Sequence, residues 1–245
     1  MVGRGRLGAD RRPMDPGDVN ATTSTAAICL QGGRELTPPC DDMDRTVLGR
    51  CTGRVVVLAG AARPGSDYAG ASARTVAHYR RLGADVDVIP DPRDDPRAAL
   101  DALVTDIGLV VLPGGSPGGL LDVLAVAVDG RTIGDRLVDL CSTGTAISGA
   151  SAGAMVLCHR TATPDRGGPP AVGLGLVPGL AVPHWTPGSE RRWSLPDVML
   201  WGLPECGGVL IDHAGVIGVG QGAASIRLDG SWSVVDRSAP QSIPG

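Results

Sequence analysis

The chain has 245 residues, 42% of them hydrophobic, enough to bury one sizeable core with tails to spare. Its net charge of −4 and the lack of a standout basic run argue against a nucleic-acid partner. No apolar run approaches the length of a bilayer span, which argues against a membrane partner.

Apart from histidine, every basic residue is Arg; Phe is absent and Asn20 is the single Asn, which reads as codon bias rather than function. Residues 1–25 are basic, then Gly/Pro-rich, with no hydrophobic segment suited to secretion, and are expected to form a disordered tail, with Met14 an alternative start. Cys29, Cys40, Cys51, Cys141, Cys158 and Cys206 include no C-x-x-C pair and no ligand-like spacing with His. They are expected to be buried thiols of a cytoplasmic protein, with neither disulfides nor a metal site.

In chain order, Ala26 to Leu30 predicts the first core strand, ending in Gln31-Gly32-Gly33. Met43–Leu48 predicts a short helix capped by Asp41 or Asp42. Arg54 to Ala59 is an uninterrupted apolar run bounded by glycines, as expected of a strand covered on both faces. A helix over Ala69 to Leu82 closes on Gly83, and a strand over Ala84 to Ile89 follows. Asp95 to Leu103 opens a helix on Pro96, and Ile107 to Leu112 is another buried strand. This alternation predicts an α/β fold in three layers, a mostly parallel sheet with helices on both faces. Thr161 to Pro170 reads as a surface loop, Leu176 to Val182 as a strand, and Ser189 to Asp197 as a short helix or turn. The short strands Val198–Leu203, Val209–Ile211, Val216–Val219, Ala223–Leu228 and Trp232–Val235 predict an antiparallel C-terminal extension. Residues 26–236 are read as one domain and 237–245 as a loose end.

Thr145 to Met155 carries the chemistry. Ser151 stands between alanines, with Gly149 two residues before and Gly153 two after. That is the spacing of a nucleophile elbow, where a strand turns sharply into a helix and the flanking positions must be nearly side-chain-free. The same run could instead be close packing of a helix on a sheet. A second Gly-rich turn, Pro113 to Gly119, follows a strand end, where ligands of parallel sheets collect. It lacks the Lys of a P-loop, so a phosphate cradle is discounted. It suits the second donor of an oxyanion hole, Gly115 N–H beside Ala152 N–H, although a helix-entry turn would use the same glycines.

A serine nucleophile needs a base and an orienting carboxylate. His78 is expected on a helix surface among arginines, His159 two turns along the elbow helix pointing away, and His213 in a hairpin turn. His184, at a strand's carboxyl end, is the base of choice. For the acid, Glu205 sits in an apolar setting that calls for a partner. Asp165 is the alternative acid, with a solvated loop residue as its plainer reading.

With these pieces placed, the chain resembles the serine peptidases that include dipeptidase E, alpha-aspartyl dipeptidase and cyanophycinase, whose fold is similar to class I glutamine amidotransferase domains. The resemblance covers Ala26 to Val235. It rests on Leu112-Pro-Gly-Gly-Ser116, Gly149-Ala-Ser-Ala-Gly-Ala154, Val182-Pro-His-Trp185, Gly202-Leu-Pro-Glu205 and Val216 to Gly222. It implies Ser151 as nucleophile, His184 as base, Gly115 and Ala152 as oxyanion donors, and an acid at Glu205 or Asp165. Where the family favours Asn after the paired glycines this chain has Ser116, which falls in the substrate region. After Glu205, Cys206-Gly207-Gly208 replaces the favoured Thr-Ala, which is expected to loosen the packing around the acid.

The expected function is hydrolysis of small peptides or amides through an acyl-enzyme, with acidic or aspartyl dipeptides and cyanophycin-like peptides as the substrates the resemblance implies. Arg191 or Arg192 would hold the substrate carboxylate with a planar fork. No cofactor is expected. The alternative is a catalytically inactive ligand- or partner-binding module of the same fold. A glutaminase ranks low because its elbow needs a thiolate. The sequence sets no oligomeric state, and a homodimer would be unsurprising.

Overall fold

The computed structural model describes residues 26–104, 106–189 and 197–242. The expected tail over 1–25 and most of the expected turn over 189–197, with Arg191 and Arg192, lie outside the described residues.

Strand β1 (Ile28–Gln31) leads through a 3-10 turn at Pro38–Cys40 into α1 (Asp41–Leu48), and β2 (Arg54–Val57) into α2 (Ser66–Arg81). Then come β3 (Val86–Val88), α3 (Pro96–Ala102), β4 (Ile107–Leu112) and α4 (Pro117–Leu124). A small hairpin, β5 (Ala127–Val128) and β6 (Arg131–Thr132), precedes α5 (Ile133–Ser142). The elbow joins β7 (Ala146–Ala150) to α6 (Ala152–Leu157), followed by β8 (Cys158–Thr161), β9 (Ala171–Val172), β10 (Val177–Val182) and β11 (Leu200–Gly202). Four strands finish the chain: β12 (Gly207–Asp212), β13 (Gly215–Gly220), β14 (Ser225–Leu228) and β15 (Ser231–Val234).

The main sheet runs β13-β12-β1-β7-β4-β2-β3, with β1, β7, β4, β2 and β3 parallel. Strand β4 is buried along its whole length and shows why such strands lack polar alternation. Its Val110 and Leu112 pack on one face with Leu120, Val123, Leu137 and Val156, from α4, α5 and α6. Its Leu109 and Val111 pack on the other with Met43, Val47, Tyr68 and Tyr79, from α1 and α2. Each such side chain, fully removed from water, contributes about 1.5–3 kcal/mol, so both helical layers are held by the same few strands. No helix among the described residues is long and apolar enough to cross a membrane.

The C-terminal strands do not form one extension. The β12–β13 hairpin returns to the main sheet, antiparallel to β1. Strands β14 and β15 instead join a second sheet of order β15-β14-β11-β10-β8-β9. There β10 runs parallel to both β8 and β11, so two sheets present their carboxyl ends to one region.

Several local expectations change. Cys40, not an aspartate, is the N-cap of α1, and Asp41 and Asp42 sit in its first turn, where the helix's positive end still favours them. Helix α6 stops at Leu157, because Cys158 turns extended and begins β8, so His159 is an exposed strand residue. Helices α4 and α5 went unread, although Ser116-Pro117 and the capping box Thr132–Asp135 mark their starts. The expected loose end is tied at Gln241, which exchanges backbone hydrogen bonds with Val216 at 2.8 and 2.9 Å.

His78 is the largest correction. Expected on the surface, it is 4% exposed, with Nε2 at 2.7 Å from Asp44 Oδ2. Arg81 donates to its Nδ1 at 3.1 Å, so the ring proton must sit on Nε2 and point at Asp44. Gln31 Nε2 and Tyr79 Oη also donate to Asp44 Oδ1, at 2.7 and 3.2 Å. Three donors, one from β1 and two from α2, thus satisfy one buried carboxylate, which is what makes its burial tolerable.

Candidate active site

Ser151 follows β7 directly and takes φ 48° and ψ −108°, an unusual conformation for a residue with a Cβ. The surrounding packing enforces it. A Cβ on Gly149 would stand 2.5 Å from Gly153 C, and one on Gly153 would stand 2.1 Å from Leu112 O. The elbow spacing therefore reflects a helix start pressed onto β4. Ser151 N–H donates to Gln31 O at 2.9 Å, which fixes the turn against the end of β1.

His184 lies two residues past β10, and Glu205 three past β11, both strands of the second sheet. Ser151 Oγ is 3.3 Å from His184 Nε2, and His184 Nδ1 is 3.3 Å from Glu205 Oε1. Both contacts fall at the long end of hydrogen-bond range. With Nδ1–H donated to the carboxylate, Nε2 is left as the acceptor for the serine proton. The His184 and Glu205 side chains are 54% and 47% exposed, so water reaches the pair. Arg34 Nη1 stands 3.8 Å from Glu205 Oε2 and shares its charge.

The two sheets are joined at β1. Gly32 O accepts the His184 N–H at 2.8 Å, and Gly33 O accepts the Cys206 N–H at 3.0 Å. Trp185 N–H donates to Leu203 O at 2.9 Å, and its indole covers Gly202. His184 and Cys206 both hold positive φ, 54° and 53°, as does Arg34 at 55°. Such strain persists where neighbours over-determine the backbone, and here it gathers around one site. Gly207 and Gly208 do not loosen the acid's surroundings as expected. They are buried in β12, and a Cβ on Gly208 would stand 2.0 Å from Leu30 O.

The Gly114-Gly115-Ser116 turn follows β4. Gly114 N–H donates to Glu35 Oε1 at 2.8 Å and Ser116 N–H to Ala61 O at 2.8 Å, while Gly115 N–H has no acceptor among the described residues. Ala152 is the first residue of α6, so its N–H has no intrahelical acceptor. Ser116 Oγ accepts the Gly119 N–H at 2.8 Å and donates to Asp165, which also takes the Gly118 N–H at 3.1 Å. Ser116 and Asp165 together cap α4, and neither contacts His184 among the described residues.

Sequence reading missed the loop after β1. Gly32, Gly33, Arg34 and Glu35 all touch the site or its supports, and the signal was the Gly-rich end of a parallel strand. Beside it opens a cleft of about 690 Å³, lined among others by Glu35, Arg74, His78, Arg81 and Gly114.

The profile of Peptidase family S51 matches residues 42–225. A peptidase from an acI-B1 Actinobacterium has a similar fold, with a TM-score of 0.72 at 18% identity over 91% of this chain and 98% of that one. A putative peptidase E protein from Listeria monocytogenes EGD-e is similar at a TM-score of 0.59 and 16% identity, over 80% of this chain and 99% of that one. No curated protein matches the chain. The fold and the family match define a peptidase of the serine type. The chain belongs to peptidase family S51, the dipeptidase E family.

Proposed function

We propose that Ser151, His184 and Glu205 form the catalytic triad of a peptidase acting on small peptides, with acidic or aspartyl dipeptides as its preferred substrates. The carrying observation is the unbroken chain of contacts from Ser151 Oγ through His184 to Glu205, assembled from the carboxyl ends of three strands.

Ser151 Oγ attacks the scissile carbonyl carbon as its proton passes to His184 Nε2. Glu205 holds the imidazole through Nδ1–H and stabilises its charged form. The oxyanion of the tetrahedral intermediate is bound by the Gly115 and Ala152 N–H groups. Collapse breaks the C–N bond, and His184 returns its proton to the departing amine. Water, deprotonated by the same ring, then hydrolyses the acyl-enzyme. Arg74, which has no ion-pair partner among the described residues, supports an acidic substrate, since it lines the same cleft as Gly114 of the glycine turn. Six free thiols, five of them buried, support a reducing cytoplasmic setting.

Digestion of a dipeptide library rich in Asp-X and β-aspartyl members, read by mass spectrometry, tests this reading. Cleavage by the wild type that falls by about 1000-fold or more in both Ser151→Ala and His184→Ala is expected. Cleavage that survives Ser151→Ala would refute it.

A further inference from the structure

Glu35 is a half-buried carboxylate with no cation partner among the described residues. Its position is set by the backbone, since Oε1 accepts the Gly114 N–H at 2.8 Å. The place a Gly114 Cβ would occupy is 2.6 Å from Glu35 Oε1 and 3.3 Å from Ser151 Cβ. The negative charge is therefore held next to the nucleophile, on the wall of the cleft. The same cleft is also lined by Arg74 and Arg81. Arg81 is paired with Asp41, whereas Arg74 has no ion-pair partner among the described residues. The one cleft thus carries a carboxylate held beside Ser151 and two guanidinium groups.

We propose that Glu35 binds the free α-ammonium of the substrate's N-terminal residue and so confines the peptidase to cleavage after that residue. The proposal rests on Ser151 being the nucleophile. In a peptide bound with its first carbonyl at Ser151, the α-ammonium is one carbon from the reacting atom. It is the cationic group that can reach a carboxylate seated on Gly114. A Lys or Arg side chain entering the cleft would share it with Arg74 and Arg81, where like charges repel it. An N-blocked or internal peptide would leave Glu35 desolvated and unpaired, a penalty that rejects the wrong substrate.

The test compares free-amine dipeptides (Asp-X, β-aspartyl and Ala-X) with their N-acetylated counterparts, in wild type and Glu35→Gln. Gln keeps an oxygen for the Gly114 N–H and removes only the charge. The wild type is expected to favour the free amine by about 100-fold or more in kcat/KM. Glu35→Gln is expected to raise KM for the free-amine member and reduce that preference to a few-fold. A purely structural role would lower both members alike and leave the ratio unchanged, which would overturn the proposal. Equal cleavage of both members by the wild type would overturn it without any variant, should Glu35→Gln fail to fold. A fluorophosphonate probe separates the two levels. A wild type that is labelled on Ser151 yet cleaves neither member contradicts the role of Glu35, whereas absence of labelling contradicts the reading beneath it.

Discussion

The ring of His184 packs directly on the backbone of Gly33: a Cβ there would stand 2.4 Å from Cε1 and 2.8 Å from Nδ1. Gly33 also holds φ 129°, a conformation that side chains rarely adopt. The end of β1 thus serves as the floor on which the His184 ring rests. Gly33→Ala is expected to leave the far-ultraviolet circular dichroism spectrum intact while lowering kcat by about 100-fold, since a displacement of order 1 Å at a catalytic group has that cost.

The two candidate acids make separable predictions. Glu205 touches His184, whereas Asp165 takes the Ser116 hydroxyl and the Gly118 N–H at the start of α4. Glu205→Gln is expected to lower kcat by about 100-fold with little change in melting temperature. Asp165→Asn is expected to leave kcat within a few-fold and to cost about 0.5–2 kcal/mol of stability, the loss typical of a weakened helix cap. Steady-state kinetics beside thermal melts distinguish them.

Asp44 is 1% exposed and accepts from Gln31, His78 and Tyr79. Replacing it by Ala strands three buried donors at once. Breaking a buried, hydrogen-bonded charge in this way costs about 3–5 kcal/mol, so urea melts of Asp44→Ala are expected to show a loss of that size. Replacement of the exposed Asp42, whose side chain reaches only Arg45 among the described residues, is expected to cost less than about 1 kcal/mol.

Burial pushes the thiols of Cys40 and Cys158 from the ordinary 9.0 up to about 12, and raises Cys29 further. Raised values mean that the native protein keeps these protons where the unfolded chain has lost them. Their contribution to stability is full below pH 9.0 and falls as pH rises towards 12. Iodoacetamide at pH 8 is accordingly expected to modify the half-buried Cys51 slowly and the five buried thiols only in denaturant, as read by intact mass.

Legibility in the sequence followed the range of the interactions. The Gly149-Ser151-Gly153 spacing and the apolar run of β4 are local, and each was readable because sterics within a few residues dictate it. His78 was misplaced because its partner Asp44 lies 34 residues earlier, and nothing near His78 announces a buried carboxylate. The second sheet escaped for the same reason. Strands β10 and β14 both flank β11, a pairing set by tertiary packing rather than by the alternation within either strand. Glu35 was unreadable as a cleft residue until β1 and β4 were set on either side of β7, since Gly114, which holds it, is 79 positions away.

The central claim is that Ser151 is an activated nucleophile, and covalent labelling by a fluorophosphonate tests it most directly. One adduct per chain, mapped to the peptide containing Ser151, absent in Ser151→Ala and formed about 100-fold more slowly in His184→Ala, is the predicted result. A folded wild type that takes up no label at Ser151, or one whose labelling is unchanged in His184→Ala, would contradict it.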